Sequence, residues 1–375
     1  MKELKEILEE VSAFEPDDRA VLATVIDVKG SGYRLPGARM LMLENGDTFG
    51  MVSGGCLEAD VLERAKKVLT SGLAEVFTYD TRNEEDSVFS LNMGCRGVIR
   101  ILLEPVYRES VLIAHLRGVR EDREERTIAT LISSDGRSTA ALGGRLFCKG
   151  EGNLTTDNLP ASLENLRSLR DECVNFHRRD DDYDFRKFET PEGSFEFALE
   201  SIKPPISLLL FGGGADAVPL ARIASDLGWQ MCVFDHRPAF LTKERFAEAD
   251  RLVLHNDENP LNAIGGDPRT VAVIMTHNYE QDSRLLPLLL RSNVAYIAAL
   301  GPKRRTDQLL SETTATGNSF TPEQLDRLYA PAGLDIGADT PEAIALSIAA
   351  EIQSVLKARD GGHLRNRKGS IYDRK

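Results

Sequence analysis

The chain has no apolar run approaching the roughly 18 residues that a membrane-spanning helix needs. Its opening, Met1-Lys2-Glu3-Leu4-Lys5-Glu6-Ile7, starts a charged helix with no apolar signal core behind it. Neither a span nor a secretory leader is expected, and the reading is a cytoplasmic protein. Cysteine is scarce: the five, Cys56, Cys95, Cys148, Cys173 and Cys232, are an odd and scattered set. That suits free thiols in a reducing compartment better than a disulfide framework. No two have Cys-x-x-Cys spacing and the six histidines form no His-x-x-x-His pair, so a closed structural zinc site is not expected. Positive charge is short too: 46 Lys and Arg against 59 Asp and Glu leave a net charge of −13. This argues against a nucleic-acid groove or an anionic membrane surface as partner. An anionic ligand would need a local basic patch, for which Arg34, Arg39, Arg96 and Lys303-Arg304-Arg305 are the candidates.

What is present is an ordinary soluble composition, 42% hydrophobic and 28% charged over 375 residues, long enough for two domains. The patterning predicts an α/β protein: an N-terminal mixed α+β domain over 1–203, then a C-terminal Rossmann-like parallel-sheet domain over 204–375 that ends in a basic tail. Lys203-Pro204-Pro205 is the expected linker, because two prolines continue neither helix nor strand easily.

The unusual chemistry is concentrated between Lys29 and Glu58, a hairpin bracketed by two glycine-rich loops. Arg39 to Leu43 and Thr48 to Val52 read as strands joined by Glu44-Asn45-Gly46-Asp47, and Asn-Gly between strand-like residues is the strongest short hairpin signal. The first loop, Gly30 to Gly37, and the second, Ser53-Gly54-Gly55-Cys56, suggest a surface of main-chain N–H groups. The second opens onto an amphipathic helix with Val61, Leu62, Ala65, Val68 and Leu69 on one face. Cys56 would then lie at a helix N-terminus, where the dipole favours thiolate and anions. The plain alternative is a small buried hydrophobe. A second cysteine between glycines, Gly94-Cys95-Arg96-Gly97, precedes a strand from Val98 to Leu103 and could face the same pocket or fill a tight bend.

Farther along, Thr127 to Ser133 and Ser138 to Phe147 read as a hairpin about Asp135-Gly136, and His177 to Asp184 as a charged, solvated connection. The second domain begins with Ile206 to Phe211, a continuous apolar run of the kind found in a buried parallel strand. Gly212-Gly213-Gly214-Ala215-Asp216-Ala217 follows, then a helix to Leu227, then a strand from Gln230 that ends in Asp235. That order fits a nucleotide-binding turn, with Gly212, Gly214 and Ala217 at the pyrophosphate and Asp235 on a ribose hydroxyl. Asp216 would repel such a phosphate. His277, Asp282 and Arg304 are polar groups at later strand ends, His277 being open to proton transfer or to a merely polar role. Thr321-Pro322-Glu323-Gln324 is a capping box, and Thr340-Pro341-Glu342 starts the last helix.

Taken together, Gly30-Ser31-Gly32-Tyr33-Arg34-Leu35-Pro36-Gly37-Ala38-Arg39-Met40, Ser53-Gly54-Gly55-Cys56-Leu57-Glu58, Gly94-Cys95-Arg96-Gly97, the turn at Gly212, Met275-Thr276-His277, Gly333-Leu334-Asp335-Ile336-Gly337-Ala338-Asp339-Thr340-Pro341-Glu342 and the tail Leu364-Arg365-Asn366-Arg367-Lys368-Gly369 resemble the xanthine dehydrogenase accessory factor family, the XdhC/CoxI type, along nearly the whole chain. The resemblance implies a chaperone rather than an enzyme. It would bind the molybdenum cofactor (molybdopterin), hold it during sulfuration and hand it to an apo molybdoenzyme of the xanthine dehydrogenase or carbon monoxide dehydrogenase kind. Chemistry and position, rather than the resemblance itself, put the expected site at Gly54, Gly55, Cys56 and Glu58, with Arg34 or Arg39 for the phosphate. Cys56 is the expected contact to molybdenum and Cys95 the second. A cysteine desulfurase-type sulfur donor is the other expected partner, and a homodimer is the base-rate oligomer. Two departures stand out: Ala215-Asp216 where relatives look to carry histidine after the glycines, and Arg96 where they carry glycine. The competing reading is an NAD(P)-dependent oxidoreductase, with Asp235 on the ribose and His277 as proton donor.

Overall fold

A strand with one face in water alternates buried and exposed side chains, yet Ala20–Gly30 (β1) buries its first nine residues without a break. The cause is its place at the centre of an antiparallel sheet that is covered on both faces. The computed structural model describes residues 1–30, 32–80, 82, 97–135, 141–150, 152–179, 181–254, 267–315, 317 and 319–368. The chain divides into two units, one of Glu3–Pro204 and one of Pro205–Lys375 with Met1–Lys2.

In the first unit, α1 (Lys2–Ser12) precedes β1, then come β2 (Arg39–Leu43), β3 (Thr48–Gly50), α2 (Glu58–Ser71), β4 (Glu75–Asp80) and β5 (Gly97–Val106). After them the plan starts again with α3 (Val111–Glu121), β6 (Arg126–Ser134), β7 (Arg145–Lys149), β8 (Asn153–Asp157), a short α4 (Ala161–Glu164), α5 (Arg167–Arg179), β9 (Tyr183–Thr190) and β10 (Gly193–Ile202). The two sheets have orders β3-β2-β1-β5-β4 and β8-β7-β6-β10-β9, which are the same order. The match extends to register and to single bonds. Ala20 faces Val106 as Arg126 faces Ile202. Val25 N–H donates to Ala38 and Gly37 N–H to Val25, at 2.9 and 2.8 Å, just as Leu131 donates to Gly144 and Gly143 to Leu131, at 2.8 and 2.9 Å. The first unit is therefore two copies of one α-β-β-β-α-β-β plan.

Ile26 and Leu102 of one sheet meet Ile132 and Ala198 of the other in a shared cluster. The first sheet packs Val21, Ala23 and Val25 with Val61, Ala65 and Val68 of α2. The second packs Leu131, Leu146 and Cys148 with Leu169, Cys173 and Phe176 of α5. Each helix thus buries the apolar stripe that its spacing of three and four residues creates.

Two ion pairs cross between the copies at equivalent positions. Arg39 of β2 grips Glu200 of β10 through both terminal nitrogens, at 2.9 and 2.5 Å. Arg145 of β7 grips Glu104 of β5 in the same way, each terminal nitrogen on its own oxygen, at 2.7 and 2.5 Å. Arg39, Arg145 and Glu104 are buried, and the Glu200 side chain is only 16% exposed. Burial alone would depress the Arg39 guanidinium, but the opposing charge of Glu200 outweighs it and keeps the arginine ionised. Such pairs add little net stability when intact, whereas removing one partner strands a charge without its solvent.

The second unit is a six-stranded parallel sheet of order β13-β12-β11-β14-β15-β16. Its strands are β11 (Ser207–Phe211), β12 (Gln230–Asp235), β13 (Arg251–Leu254), β14 (Thr270–Ile274), β15 (Tyr296–Ala299) and β16 (Leu328–Tyr329). The helices are α6 (Ala217–Asp226), α7 (Tyr279–Leu290), α8 (Lys303–Ala315), α9 (Pro322–Leu325) and α10 (Pro341–Leu356). Both β11 and β14 are buried at every residue, because α6 and α10 cover one face of the sheet and α7 with α8 the other. The chain runs from β11 outward to β12 and later resumes at β14 on the opposite side, so the Rossmann-like switch point lies between β11 and β14.

Some expectations need correction. The strand expected from Ser138 starts at Arg145, and 141–144 turn instead; residues 136–140 lie outside the described residues. His177 to Asp184 is no simple connection: it ends α5 and begins β9, an edge strand. Helix α3 and strand β8 are further elements that the sequence pattern did not lead us to expect.

Glu200→Ala leaves Arg39 buried and unpaired, and is expected to cost about 3–5 kcal/mol of stability, read as a lower denaturant midpoint at unchanged slope.

Candidate functional site

After β3 the chain turns through residues 51–57 into α2, and the turn is tied from within. Ser53 N–H donates to Glu58 at 2.8 Å, and the Ser53 hydroxyl donates to the same carboxylate. Ser53 Oγ accepts from the N–H groups of Cys56 and Leu57, both at 3.1 Å, and Leu57 N–H also reaches Glu58 at 3.2 Å. Burial pushes the Glu58 carboxyl up, but the donors from Ser53 and Leu57 outweigh it and hold it below the usual carboxylate range. The N–H groups at the start of α2, expected to favour an anion beside Cys56, are therefore partly spent on Ser53 and Glu58.

That inward bonding turns Gly54, Gly55 and Cys56 outward, and all three are exposed. Gly55 has φ of 101°, a left-handed conformation that favours glycine. Among the described residues the N–H groups of Gly54 and Gly55 make no hydrogen bond. The first glycine loop lies against the second: a side chain on Gly54 would begin 3.4 Å from the ring of Tyr33, which is itself 61% exposed. The two loops thus form one surface with the Cys56 thiol, two main-chain donors and an aromatic face.

The arginines nominated for a phosphate are placed differently. Arg34 is paired with Glu3 of α1. Arg39 lies in the interior, bound to Glu200 and donating to Gly37 O at 3.0 Å. Each guanidinium has found a carboxylate of its own, and for Arg39 burial makes that partner obligatory. Cys95 and Arg96 lie outside the described residues.

In the second unit Gly212 has φ of 112°, and a side chain there would begin 2.2 Å from Met275 O, so the ends of β11 and β14 meet backbone to backbone. Asp235 accepts from Gly213 N–H at 2.7 Å and from Arg237 through its N–H, Nε and Nη2, at 2.8, 2.9 and 2.9 Å. Burial raises this carboxyl, yet the Arg237 and Gly213 donors overcome that and bring it to about 2. It is buried and fully engaged, which is not the free acceptor expected for a ribose. Gly214 lies under the carboxylate of Asp216, and Ala217 opens α6 as a buried residue. Asp216 Oδ2 is 2.7 Å from His277 Nε2, a pairing that sequence reasoning missed because the two residues stand 61 apart. Asp282 is bound by Thr276 and by Arg305 at 2.7 Å, while Lys303 and Arg304 are exposed. Among the described residues no group of three or more His, Cys, Asp or Glu could hold a metal ion. No helix among them is long and apolar enough to cross a membrane.

These features define a two-unit α/β protein with a thiol-bearing glycine surface on one unit and a Rossmann-like sheet on the other. Family models match in both: the XdhC and CoxI family over residues 13–80 and the XdhC Rossmann domain over 208–352. The chain is 33% identical over 338 residues to a Bacillus subtilis protein named as a probable xanthine dehydrogenase subunit, covering 90% of this chain and 93% of that one. It is 23% identical over 345 residues to the Escherichia coli "Molybdenum cofactor insertion chaperone PaoD", covering 92% and 86%. A crystal structure described as a xanthine dehydrogenase from Bacillus halodurans superposes with a TM-score of 0.73 at 31% identity, covering 96% of this chain and 97% of that one. The chain belongs to the XdhC and CoxI family.

Because the folded state lowers the Glu58 pKa, its contribution to stability is complete above the unfolded value of about 4.3 and is lost as pH falls through the lower folded value. Glu58→Gln should therefore cost about 1–2 kcal/mol near neutrality. Parent and variant melting temperatures should converge in acid.

Proposed function

We propose that this protein binds the molybdenum cofactor and inserts it into an apo molybdoenzyme of the xanthine dehydrogenase or carbon monoxide dehydrogenase kind, with Cys56 at the point of contact. The observation that carries the reading is the exposure of Cys56 beside two unbonded main-chain donors. A cysteine retained for packing would be covered, as Cys148 and Cys173 are. The names borne by the relatives, an insertion chaperone and two xanthine dehydrogenase proteins, support the same reading.

The residues present suit the cofactor's parts. A thiolate is a fitting ligand for a soft metal centre, the unbonded N–H groups of the exposed Gly54 and Gly55 suit a phosphate, and the Tyr33 ring offers a flat apolar face to a pterin. Arg34 and Arg39 have no part in this version of the site, since both are engaged elsewhere. Cys95 is kept as the second proposed contact because of its setting between Gly94 and Gly97. When bound, the cofactor supplies the molybdenum that the client enzyme uses in its own redox reaction. The chain's residues hold it and release it, with no turnover of their own. Sulfuration on the carrier by a cysteine desulfurase-type donor, a homodimeric state and a cytoplasmic setting complete the proposal.

The test is to purify the protein from cells that make the cofactor, oxidise it and measure pterin fluorescence. A stoichiometric pterin signal supports the reading, and its absence sinks it. Cys56→Ser is expected to lower retained pterin at least fivefold with an unchanged melting temperature, and equal retention would remove Cys56 from the site.

A further inference from the structure

We infer that one water molecule is built into the first unit between its two copies, where it accepts the Nε–H groups of Arg39 and Arg145 and donates to the hydroxyls of Thr24 and Thr130. Strand register brings these residues together. Thr24 of β1 faces Arg39 on one neighbouring strand and Leu102 on the other. Thr130 of β6 faces Arg145 and Ala198 in the equivalent way. Directly paired residues share a face of their sheet, so each copy presents an aliphatic side chain, a hydroxyl and a guanidinium in one row. The two rows wall a single cavity of about 10 Å³, about the space that one water needs. Ile26, Leu112 and Ile128 complete its apolar lining.

Two donors at this cavity are unspent. Each guanidinium has both terminal nitrogens on a glutamate, and Nη1 also donates to a glycine carbonyl, Gly37 O at 3.0 Å or Gly143 O at 2.7 Å. Nε–H is left over in both residues, buried and without a partner among the described residues. The two arginine side chains are only 9% and 6% exposed, so bulk solvent does not serve these donors. A buried N–H without an acceptor is rare and costly. Here two of them occur at equivalent positions on one cavity.

Charge selects the occupant. Both guanidinium charges are already met, by Glu200 and Glu104. Glu200 also lines the cavity, so a halide would add negative charge beside a carboxylate. Tyr183, another wall residue, brings no charge: burial first, and the nearby Glu200 second, raise its phenol well above the ordinary range. A cation would meet N–H donors. The remaining choice is a neutral molecule that accepts two hydrogen bonds and donates two, which water does from one oxygen. Its symmetry also suits the walls. The clamps exchange reciprocally, each copy's arginine on the other copy's glutamate, which is a two-fold relation. One Nε–H and one threonine hydroxyl from each copy match the two lone pairs and two hydrogens of a water lying between them. The bound water therefore links the clamp at the foot of the first glycine loop to the clamp of the second copy.

The test is a crystal structure of the full-length protein at a resolution that shows ordered water, with a second crystal soaked in bromide. The expected result is a single peak within roughly 2.7–3.2 Å of both Nε atoms, with no anomalous signal there after the soak. No peak, a peak that reaches only one Nε, or bromide at the site would overturn the inference. In solution, oxygen-17 magnetic relaxation dispersion counts long-lived internal waters. A chain carrying both Thr24→Val and Thr130→Val should hold one fewer than the parent, and an unchanged count would also overturn the inference. If the double variant misfolds, the two crystals of the parent decide. None of these readouts involves pterin retention, so this inference and the proposed function can fail separately.

Discussion

The first unit depends on two guanidinium–carboxylate pairs that cross between its two sheets. Arg39 and Arg145 are too long and too costly to bury unless a carboxylate meets both terminal nitrogens, and the equivalent glutamates, Glu200 and Glu104, do so from the opposite copy. Each arginine also donates to the carbonyl of a glycine two residues before it, Gly37 or Gly143. The ion pair therefore does more than join sheets, because it fixes the foot of the first glycine loop. At Gly37, with φ of 89°, a side chain would begin 2.7 Å from Glu200 Oε1, so only glycine lets the loop close over its clamp. From that fixed point the loop carries Tyr33 onto Gly54, beside Cys56. A cavity of about 10 Å³ lined by Arg39, Arg145, Thr24 and Thr130 lies between the copies. The Nε atoms of both arginines have no partner among the described residues, and the space is about that of one water molecule.

A second regularity links the two units. Places where this backbone could receive an anion are supplied with the chain's own carboxylates. Glu58 takes donors at the start of α2, Asp235 takes Gly213 and Asp216 overhangs Gly214. Self-supply of this kind stabilises the apo fold, since unpaired N–H groups shielded from water are costly, and it narrows what an incoming ligand can use. On the first unit it leaves Gly54, Gly55 and the Cys56 thiol facing outward. On the second it leaves the exposed His277 beside Asp216.

Local signals were legible in the sequence, and long-range pairings were not. Asn45-Gly46 closes its hairpin as a three-residue loop, with Gly46 N–H bonded to Leu43 O at 3.0 Å, Leu43 N–H to Asp47 O at 2.9 Å and Gly46 in the left-handed region at φ of 93°. The apolar run before Gly212 forms a wholly buried parallel strand. By contrast, Arg34 and Arg39 looked free because their partners lie 31 and 161 residues away. Helix α3 was obscured by Gly118 in its interior, a residue that reads as a break. The structure gives the reason: a side chain on Gly118 would begin 2.2 Å from the Arg126 guanidinium. Strand β9 was hidden by its charges, which on an edge strand discourage pairing with other chains. The internal repeat escaped notice because the two copies share mainly what the clamp requires: Gly37 with Gly143, Arg39 with Arg145, Glu104 with Glu200.

That pattern of retention separates scaffold from site. If the repeat served the ligand, both copies should carry the cysteine loop, since the two offer the same strand-to-helix connection. In the first copy the link from β3 to α2 is Met51-Val52-Ser53-Gly54-Gly55-Cys56-Leu57. In the second, the link from β8 to α5 holds Pro160 and the extra helix α4, with no glycine and no cysteine. The clamp survives in both copies because the packing of each sheet depends on the arginine of one and the glutamate of the other, so neither can drift alone. A surface loop has no such reciprocal partner and is free to diverge. The exposed thiol and its glycine surface accordingly belong to one copy's loops, and the second copy holds the foot of the first loop through the Glu200 clamp.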